Sequence, residues 1–277
     1  LILYMNGNKD ILDNTRELYI ISNHQGIVVD CSKEIKEKYQ DLIEQGISLK
    51  ELKTKLEEHS ILYLNDKDLT KEFESDKRYY HIKEQRIKMP HFLYYGSLTL
   101  LYDETSDIKL INEMDRVMSH DLMTGLYNRN FFENQIPLLE NADFNFGVMI
   151  IDVDGLKLHN DYLGHKSGDE LLINFSNMML KVCNQYEELI PIRLGGDEFL
   201  FIAKHGDMDT LNKIASDMVA LGKNDDPVKC INFSYGISIR SRSNGKFSTV
   251  LRDADKELYI MKEKKVDEKA ILEKYFK

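Results

Sequence analysis

Apolar residues along this chain follow two rhythms, one of period two and one of helical spacing. Leu18 to Ser22 and Gly26 to Asp30 are short strand-like runs joined by Asn23-His24-Gln25, a hairpin signal. Helical patterns follow over Ile35 to Ile43 and Leu49 to Leu56, and three later strands are predicted over Arg78 to Ile82, Gln85 to Met89 and Phe92 to Leu101. Ile108, Ile111, Met114 and Val117, with Leu110 and Met118, then recur at helical spacing among Asp107, Lys109, Glu113, Asp115 and Arg116. That pattern predicts one amphipathic helix, either packed on its own domain or forming a short two-chain coiled segment; about two heptads do not decide between these. Beyond it, Phe146 to Ile151 reads as a mostly apolar strand. Leu189, Ile190 and Ile192 lead into a glycine pair, and Phe199 to Ile202 lead out, so two short strands flank a tight turn.

Composition adds limits to this picture. A length of 277 residues fits two domains, and 42% hydrophobic with 30% charged residues is an ordinary globular balance. The expected division is 1–105, a linker helix over 106–119, and 120–277. The net charge is −10 and both halves are acidic, which argues against a nucleic-acid arm or a polybasic membrane patch. Cys31, Cys183 and Cys230 are far apart with no CxxC spacing, so buried or half-buried thiols in a reducing, cytoplasmic setting are expected. No run approaches the ~18–20 apolar residues of a spanning helix. The chain opens on Leu1 rather than Met; it therefore reads as part of something longer, with membrane attachment upstream left open.

Candidate chemistry concentrates in Arg193-Leu194-Gly195-Gly196-Asp197-Glu198-Phe199. Two glycines let the backbone take φ > 0 and approach a bulky anion, while Asp197 and Glu198 set carboxylates beside that gap. A cation between carboxylate and phosphate is then needed, and Mg²⁺ prefers such oxygen ligands. Gly-Gly-Asp alone is also a common turn. A second stretch changes the balance: the strand from Phe146 runs into Asp152-Val153-Asp154-Gly155-Leu156-Lys157, and in α/β architectures ligands sit at the carboxyl ends of strands. Antiparallel pairing could bring Asp152 and Asp197 together as metal-bridging carboxylates, with the Val153 carbonyl as a third ligand. Glu198 is either a second-metal ligand or the group that helps take a proton from an attacking hydroxyl.

These two stretches together resemble the GGDEF family, the diguanylate cyclases. The resemblance opens with Asp121-Leu122-Met123-Thr124-Gly125-Leu126-Tyr127-Asn128-Arg129, similar to the family's DxLTGLxNR. It continues through Asn160-Asp161, Gly164-His165-Lys166-Ser167-Gly168-Asp169, Ser234-Tyr235-Gly236 and Asp253 to Lys262. It implies an α+β catalytic domain with a central, mostly antiparallel sheet flanked by helices. It also implies two GTP molecules condensed to cyclic di-GMP with release of two pyrophosphates, Mg²⁺ (or Mn²⁺) as cofactor, and a homodimer in which each subunit supplies half a site. Position by position, Asn160 and Asp169 match guanine-reading residues, an amide and a carboxylate suited to guanine's donor and acceptor edge. Lys157 and Lys262 match phosphate contacts, and Gly195 and Gly196 belong to the substrate-binding hairpin. A basic residue often found four positions after Lys262 is Val266 here, with Lys264 and Lys265 nearby.

Arg193 is expected to be structural and to pair locally, and His165 to support its loop by hydrogen bonding. Many family members carry an inhibitory RxxD where this chain has Tyr186-Glu187-Glu188-Leu189. The first hundred residues resemble a PAS domain, with Asp103-Glu104-Thr105 similar to that family's D-x-T terminus, which implies a sensor whose ligand is unknown. His24, His81 and His91 lack ligand spacing, so no cofactor is assigned there. The alternative to an enzyme is an inactive module that binds GTP or cyclic di-GMP and relays it to a partner; an enzyme making mixed guanine-adenine products is a third reading, against which Asp169 argues.

Overall fold

The structure is a computed structural model that describes residues 17–64, 74–88, 95–224, 229–240 and 246–265. The chain divides into two compact units, Leu1–Met114 and Asp115–Lys277.

In the first unit, β1 (Leu18–Ser22) and β2 (Val28–Cys31) form the hairpin expected from their patterns. Asn23 closes it by accepting from the backbone N–H groups of Gln25 and Ile27 at 2.9 and 3.0 Å, and Gly26 supplies the positive φ. Helices α1 (Lys33–Glu44) and α2 (Leu49–Glu57) follow, the second capped by Ser48, which accepts from Glu51 N. The sheet is completed by β3 (Ser60–Tyr63), β4 (Arg78–Lys88) and β5 (Tyr95–Asp103), in the order β2-β1-β5-β4-β3, with β3 parallel to β4 and the other pairs antiparallel. Ile20, Ile35, Leu52, Tyr80 and Leu101 meet in one core, while Tyr19, Ile21 and Ile87 pack with Leu98 and Leu100 in another.

Two strand expectations need correction. Arg78 to Ile82 and Gln85 onward are one strand, because the backbone ladder to β5 runs from Tyr80↔Asp103 to Lys88↔Tyr95 without a break at exposed Lys83 and Glu84. Polar side chains facing water do not interrupt a ladder made by the backbone. The four-residue β3 was not expected. Met89, His91 and Phe92 to Tyr94 lie outside the described residues.

Helix α3 (Thr105–Ser119) follows directly and contains no buried residue; Leu110, Ile111, Met114, Val117 and Met118 are all exposed. At its start Thr105 donates to Asp103 while its hydroxyl accepts from Tyr79 N at 2.9 Å, which ties the end of β5 to β4.

The second unit is a four-stranded, wholly antiparallel sheet in the order β7-β8-β6-β9, made of β6 (Phe146–Val153), β7 (Leu189–Gly195), β8 (Glu198–Lys204) and β9 (Phe233–Arg240). Both faces are covered, which explains why β6 reads as nearly continuous apolar sequence. Met149, Ile151 and Val153 face a core shared with α5 (His165–Cys183) and α6 (Met208–Gly222). Phe146 and Val148 face α4 (Arg129–Glu140) and α7 (Phe247–Lys264), with Phe132, Leu139, Phe247 and Val250. Period two then puts Asp152 on the α7 side. At Gly236 of β9 that helix leaves no room for a side chain: a Cβ there would lie 1.9 Å from the Ala254 carbonyl oxygen.

Candidate active site

The sequence from Ser119 to Arg129 builds a brace rather than a regular element. Asp121 accepts from Thr124 through both its N–H and its hydroxyl, at 2.9 and 2.7 Å, and Gly125 takes φ 72° to close the turn. Asn128 caps α4 by accepting from Phe131 N, and its amide donates to the carbonyls of Met118 and His120, both at 3.1 Å. Tyr127 lies beside the β7 edge, donating to Pro191 O and accepting from Arg193 N. Arg129 Nε reaches the Leu194 carbonyl at 3.0 Å.

Arg193 locks this brace to the hairpin. Its Nη1 donates to both Asp121 oxygens at 3.0 and 3.2 Å, while Nε and Nη2 hold the Gly196 carbonyl at 3.2 and 2.8 Å. The expectation of local pairing therefore holds for Gly196 only; the carboxylate partner is 72 positions away. Burial works against the charge on Asp121, but hydrogen bonds from Thr124 and Arg193 hold its carboxyl below the usual range.

The turn so held takes φ 144° at Gly195 and 54° at Gly196, both in the region that favours glycine, and a Cβ at either would meet nothing within 4 Å. The hairpin thus faces open space of the kind a bulky anion needs. On its other side it joins β6: Asp152 stands opposite Glu198 in the β6–β8 register, and Val153 N donates to the Asp197 carbonyl at 3.0 Å. Asp152, Val153, Asp197 and Glu198 are thereby gathered at one end of the sheet. Burial, together with the neighbouring charge of Asp197, raises the pKa of Asp152 against the lowering influence of Lys262. Lys262 of α7 approaches Asp152 at 2.5 Å, so a cation already stands against this largely buried carboxylate.

Among the described residues no three His, Cys, Asp or Glu side chains converge as they would around a bound ion. The donor set nonetheless suits a hard divalent cation, which takes one or two carboxylates and completes its sphere with water and substrate phosphates.

The remaining expected residues sit on the segment after β6. Lys157 is exposed on the helical turn Leu156–Leu158, and Asn160 is half-buried in the π-helical turn His159–Leu163. Asn160 lies against Gly168, where a Cβ would fall 2.1 Å from its Oδ1, which puts it beside exposed Asp169 at the start of α5. The support of this loop falls to buried His159, whose Nδ1 is 3.0 Å from Ser167 Oγ and whose pKa is lowered by burial; His165 is exposed. No sequence signal separated the two histidines.

Tyr186 donates to Asp217 at 2.6 Å, and burial with that carboxylate pushes its phenol up to about 12, while Leu189 is buried in the core. Val266 lies outside the described residues. Lys265, next to it, donates to Asp154 at 3.1 Å and to the Phe233 carbonyl at 2.8 Å. In the first unit, His24 is exposed, and His81 stacks on Tyr63 with ring centroids 5.3 Å apart.

A helix-covered antiparallel sheet that carries carboxylates and a glycine hairpin at one end defines an α+β domain. Residues 118–268 match the family described as "Diguanylate cyclase, GGDEF domain", and the chain belongs to that family. The probable diguanylate cyclase DgcE of Escherichia coli is 28% identical over 176 residues, 60% of this chain and 16% of that protein. The diguanylate cyclase TpbB of Pseudomonas aeruginosa is 33% identical over 154 residues, 52% of this chain and 35% of that protein. The cyclic di-GMP phosphodiesterase PdeR of E. coli is 30% identical over 170 residues, 58% of this chain and 25% of that protein. The chain thus spans between 16% and 35% of the length of these relatives. The solved GGDEF domain of TpbB is 30% identical at a TM-score of 0.45, over 52% of this chain and 89% of that one. No helix among the described residues is long and apolar enough to cross a membrane.

Proposed function

We propose that this chain is a diguanylate cyclase that condenses two GTP molecules into cyclic di-GMP and releases two pyrophosphates. The observation that carries the reading is the β6–β8 register, which puts Asp152 opposite Glu198 and beside Asp197 at the mouth of a glycine hairpin. In each half-reaction a 3′-oxygen attacks the α-phosphorus of the other nucleotide; the new P–O bond forms as the bond to pyrophosphate breaks. Asp152, Asp197, Glu198 and the Val153 carbonyl would hold Mg²⁺ (or Mn²⁺), which when bound would lower the pKa of the attacking hydroxyl and neutralise charge on the transferring phosphoryl group. Glu198 either takes the 3′-hydroxyl proton or completes a second cation site. Gly195 and Gly196 let the backbone approach the phosphates, and Lys157 and Lys262 contact them. Asn160 and Asp169 read guanine through its amide and amine edge.

Two copies each supply half a site in this reading. The exposed apolar stripe of α3 supports a two-chain segment over 106–119. The unit before it, 1–105, is proposed as a PAS-like sensor of an unidentified signal, supported by its five-stranded sheet with α1 and α2 between β2 and β3, and by its Asp103-Glu104-Thr105 exit.

Incubation with GTP and Mg²⁺, with products resolved by chromatography and mass, tests the activity. Cyclic di-GMP with two equivalents of pyrophosphate is expected. GTP binding without product would favour the alternative, a relay module. Specific activity should rise with protein concentration across the range where dimers form, and a constant rate from a demonstrated monomer would overturn the half-site arrangement.

A further inference from the structure

Lys262 lies in the last turn of α7 and Lys265, three positions on, is the residue that ends the helix; Asp152 lies in the last positions of β6 and Asp154 just beyond them. Spacing of three in a helix and of two in a strand tends to bring side chains to a common side, and the contacts show that this carries one residue past each element. The two pairs therefore register with each other: Lys262 meets Asp152 at 2.5 Å and Lys265 meets Asp154 at 3.1 Å. The second pair is the better anchored. Lys265 Nζ also donates to the Phe233 carbonyl at 2.8 Å, and Ser234 Oγ donates to the same Asp154 carboxylate at 3.1 and 3.2 Å. Asp154 N in turn donates to the Asn232 carbonyl at 2.9 Å. The last turn of α7 is thus stapled to the adjoining ends of β6 and β9, while further back Gly236 lets the same helix rest directly on β9.

We propose that Lys265 is a positioning residue for the nucleotide site: by gripping Asp154 and the Phe233 carbonyl it fixes the helix end that carries Lys262, and so holds that ammonium where it can pass from Asp152 to a nucleotide phosphate. Lys265 does not itself reach substrate; its ammonium is committed to Asp154 and Phe233. This rests on the cyclase reading for the identity of the ligand.

A double-mutant cycle on binding isolates the effect. Dissociation constants of a non-hydrolysable GTP analogue with Mg²⁺ would be measured by calorimetry for the full chain and for Lys265→Met, Lys262→Met and the double variant, with thermal unfolding recorded for each. Lys265→Met should weaken binding about tenfold, as expected for residues in one charge network, and should add almost nothing once Lys262 is already Met. Lys265→Arg, which keeps a charged donor, should restore binding to within about threefold of the parent. Equal losses from Lys265→Met in both backgrounds, or an unchanged constant in a folded variant, would overturn the proposal, since a merely structural lysine acts independently of Lys262. If Lys265→Met does not fold, failure of Lys265→Arg to bind normally while folded overturns it as well. Failure of the parent chain to bind the analogue at all would instead count against the cyclase reading.

Discussion

Arg193→Met probes the brace that holds the glycine hairpin of the proposed site. Met keeps an unbranched stem near Phe199, over whose ring the guanidinium carbon lies at 5.9 Å, and deletes the fork. Four donor contacts disappear, two to Asp121 and two to the Gly196 carbonyl, from a pair whose side chains are only 11% and 26% exposed. Breaking a fully buried ion pair costs about 3–5 kcal/mol. Asp121 keeps both Thr124 bonds and some water, so ~2–3 kcal/mol is the better expectation. For a unit spanning Asp115–Lys277 that is a fall in Tm of about 5–10 °C.

The turn that carries Asp197 and Glu198 loosens as Gly196 loses both donors, and displacement of about 1 Å at a reacting centre can lower the rate roughly 10²-fold. Calorimetric unfolding and cyclase rate, measured on Arg193→Met and Arg193→Lys, check both effects. Lys restores charge but cannot span a carboxylate and a carbonyl, so it should fall between Met and the parent. The pH dependence has a definite sign. The folded pKa of Asp121 is depressed, so its stabilisation is present above the unfolded value of about 3.9 and is lost as pH falls through the folded value. The Tm gap between parent and Arg193→Met should therefore narrow on acidification below about pH 4. A Met variant within ~1 °C of the parent at neutral pH, with an unaltered rate, would refute the argument.

Asp152→Ala and Asp197→Ala should each lower turnover by at least about 10²- to 10³-fold while leaving the domain folded, as judged by circular dichroism; near-normal cyclase rates would remove both from the proposed cation site. Asp169→Ser should weaken GTP and relax discrimination against ATP, and an unchanged GTP-to-ATP preference would place base recognition elsewhere. Gly236→Ala puts a Cβ 1.9 Å from Ala254 O and 2.3 Å from Leu258 N, both backbone atoms that cannot rotate away, so denaturant unfolding should show a loss toward the upper end of the ~1–3 kcal/mol of overpacking. Added cyclic di-GMP should not inhibit through Tyr186 and Leu189, since one hydroxyl is bonded to Asp217 and the other side chain is buried; strong non-competitive inhibition in progress curves, abolished by substitutions there, would contradict this.

Local signals in the chain determined a good deal. The Phe146 run, the paired glycines and the apolar stretches around them specify β6, β7 and β8 because period, turn geometry and strand length are properties of neighbouring residues. The helical patterns over Ile35 to Ile43 and Leu49 to Leu56 are legible for the same reason and correspond to α1 and α2; the Ser48 cap is seen only in the structure. Residue chemistry alone singles out Asp152, Asp197 and Glu198 as candidates, at the end of an apolar run and beside a glycine pair, while Asn160, Asp169, Lys157 and Lys262 come from family likeness.

Tertiary structure decided what depends on distances across the sheet. That Asp152 faces Glu198 is a matter of strand register, and the Arg193 fork finds its carboxylate only because Tyr127 is drawn against β7. Lys265 could be read from sequence only as a lysine near a phosphate position; the docking of α7 on Gly236 and the Phe233 carbonyl gives it Asp154 instead. His159 and His165 look equally suited to brace a loop, yet burial separates them. A side chain's partner across a fold follows from the packing of whole elements, and packing is not a property that any short window of residues contains.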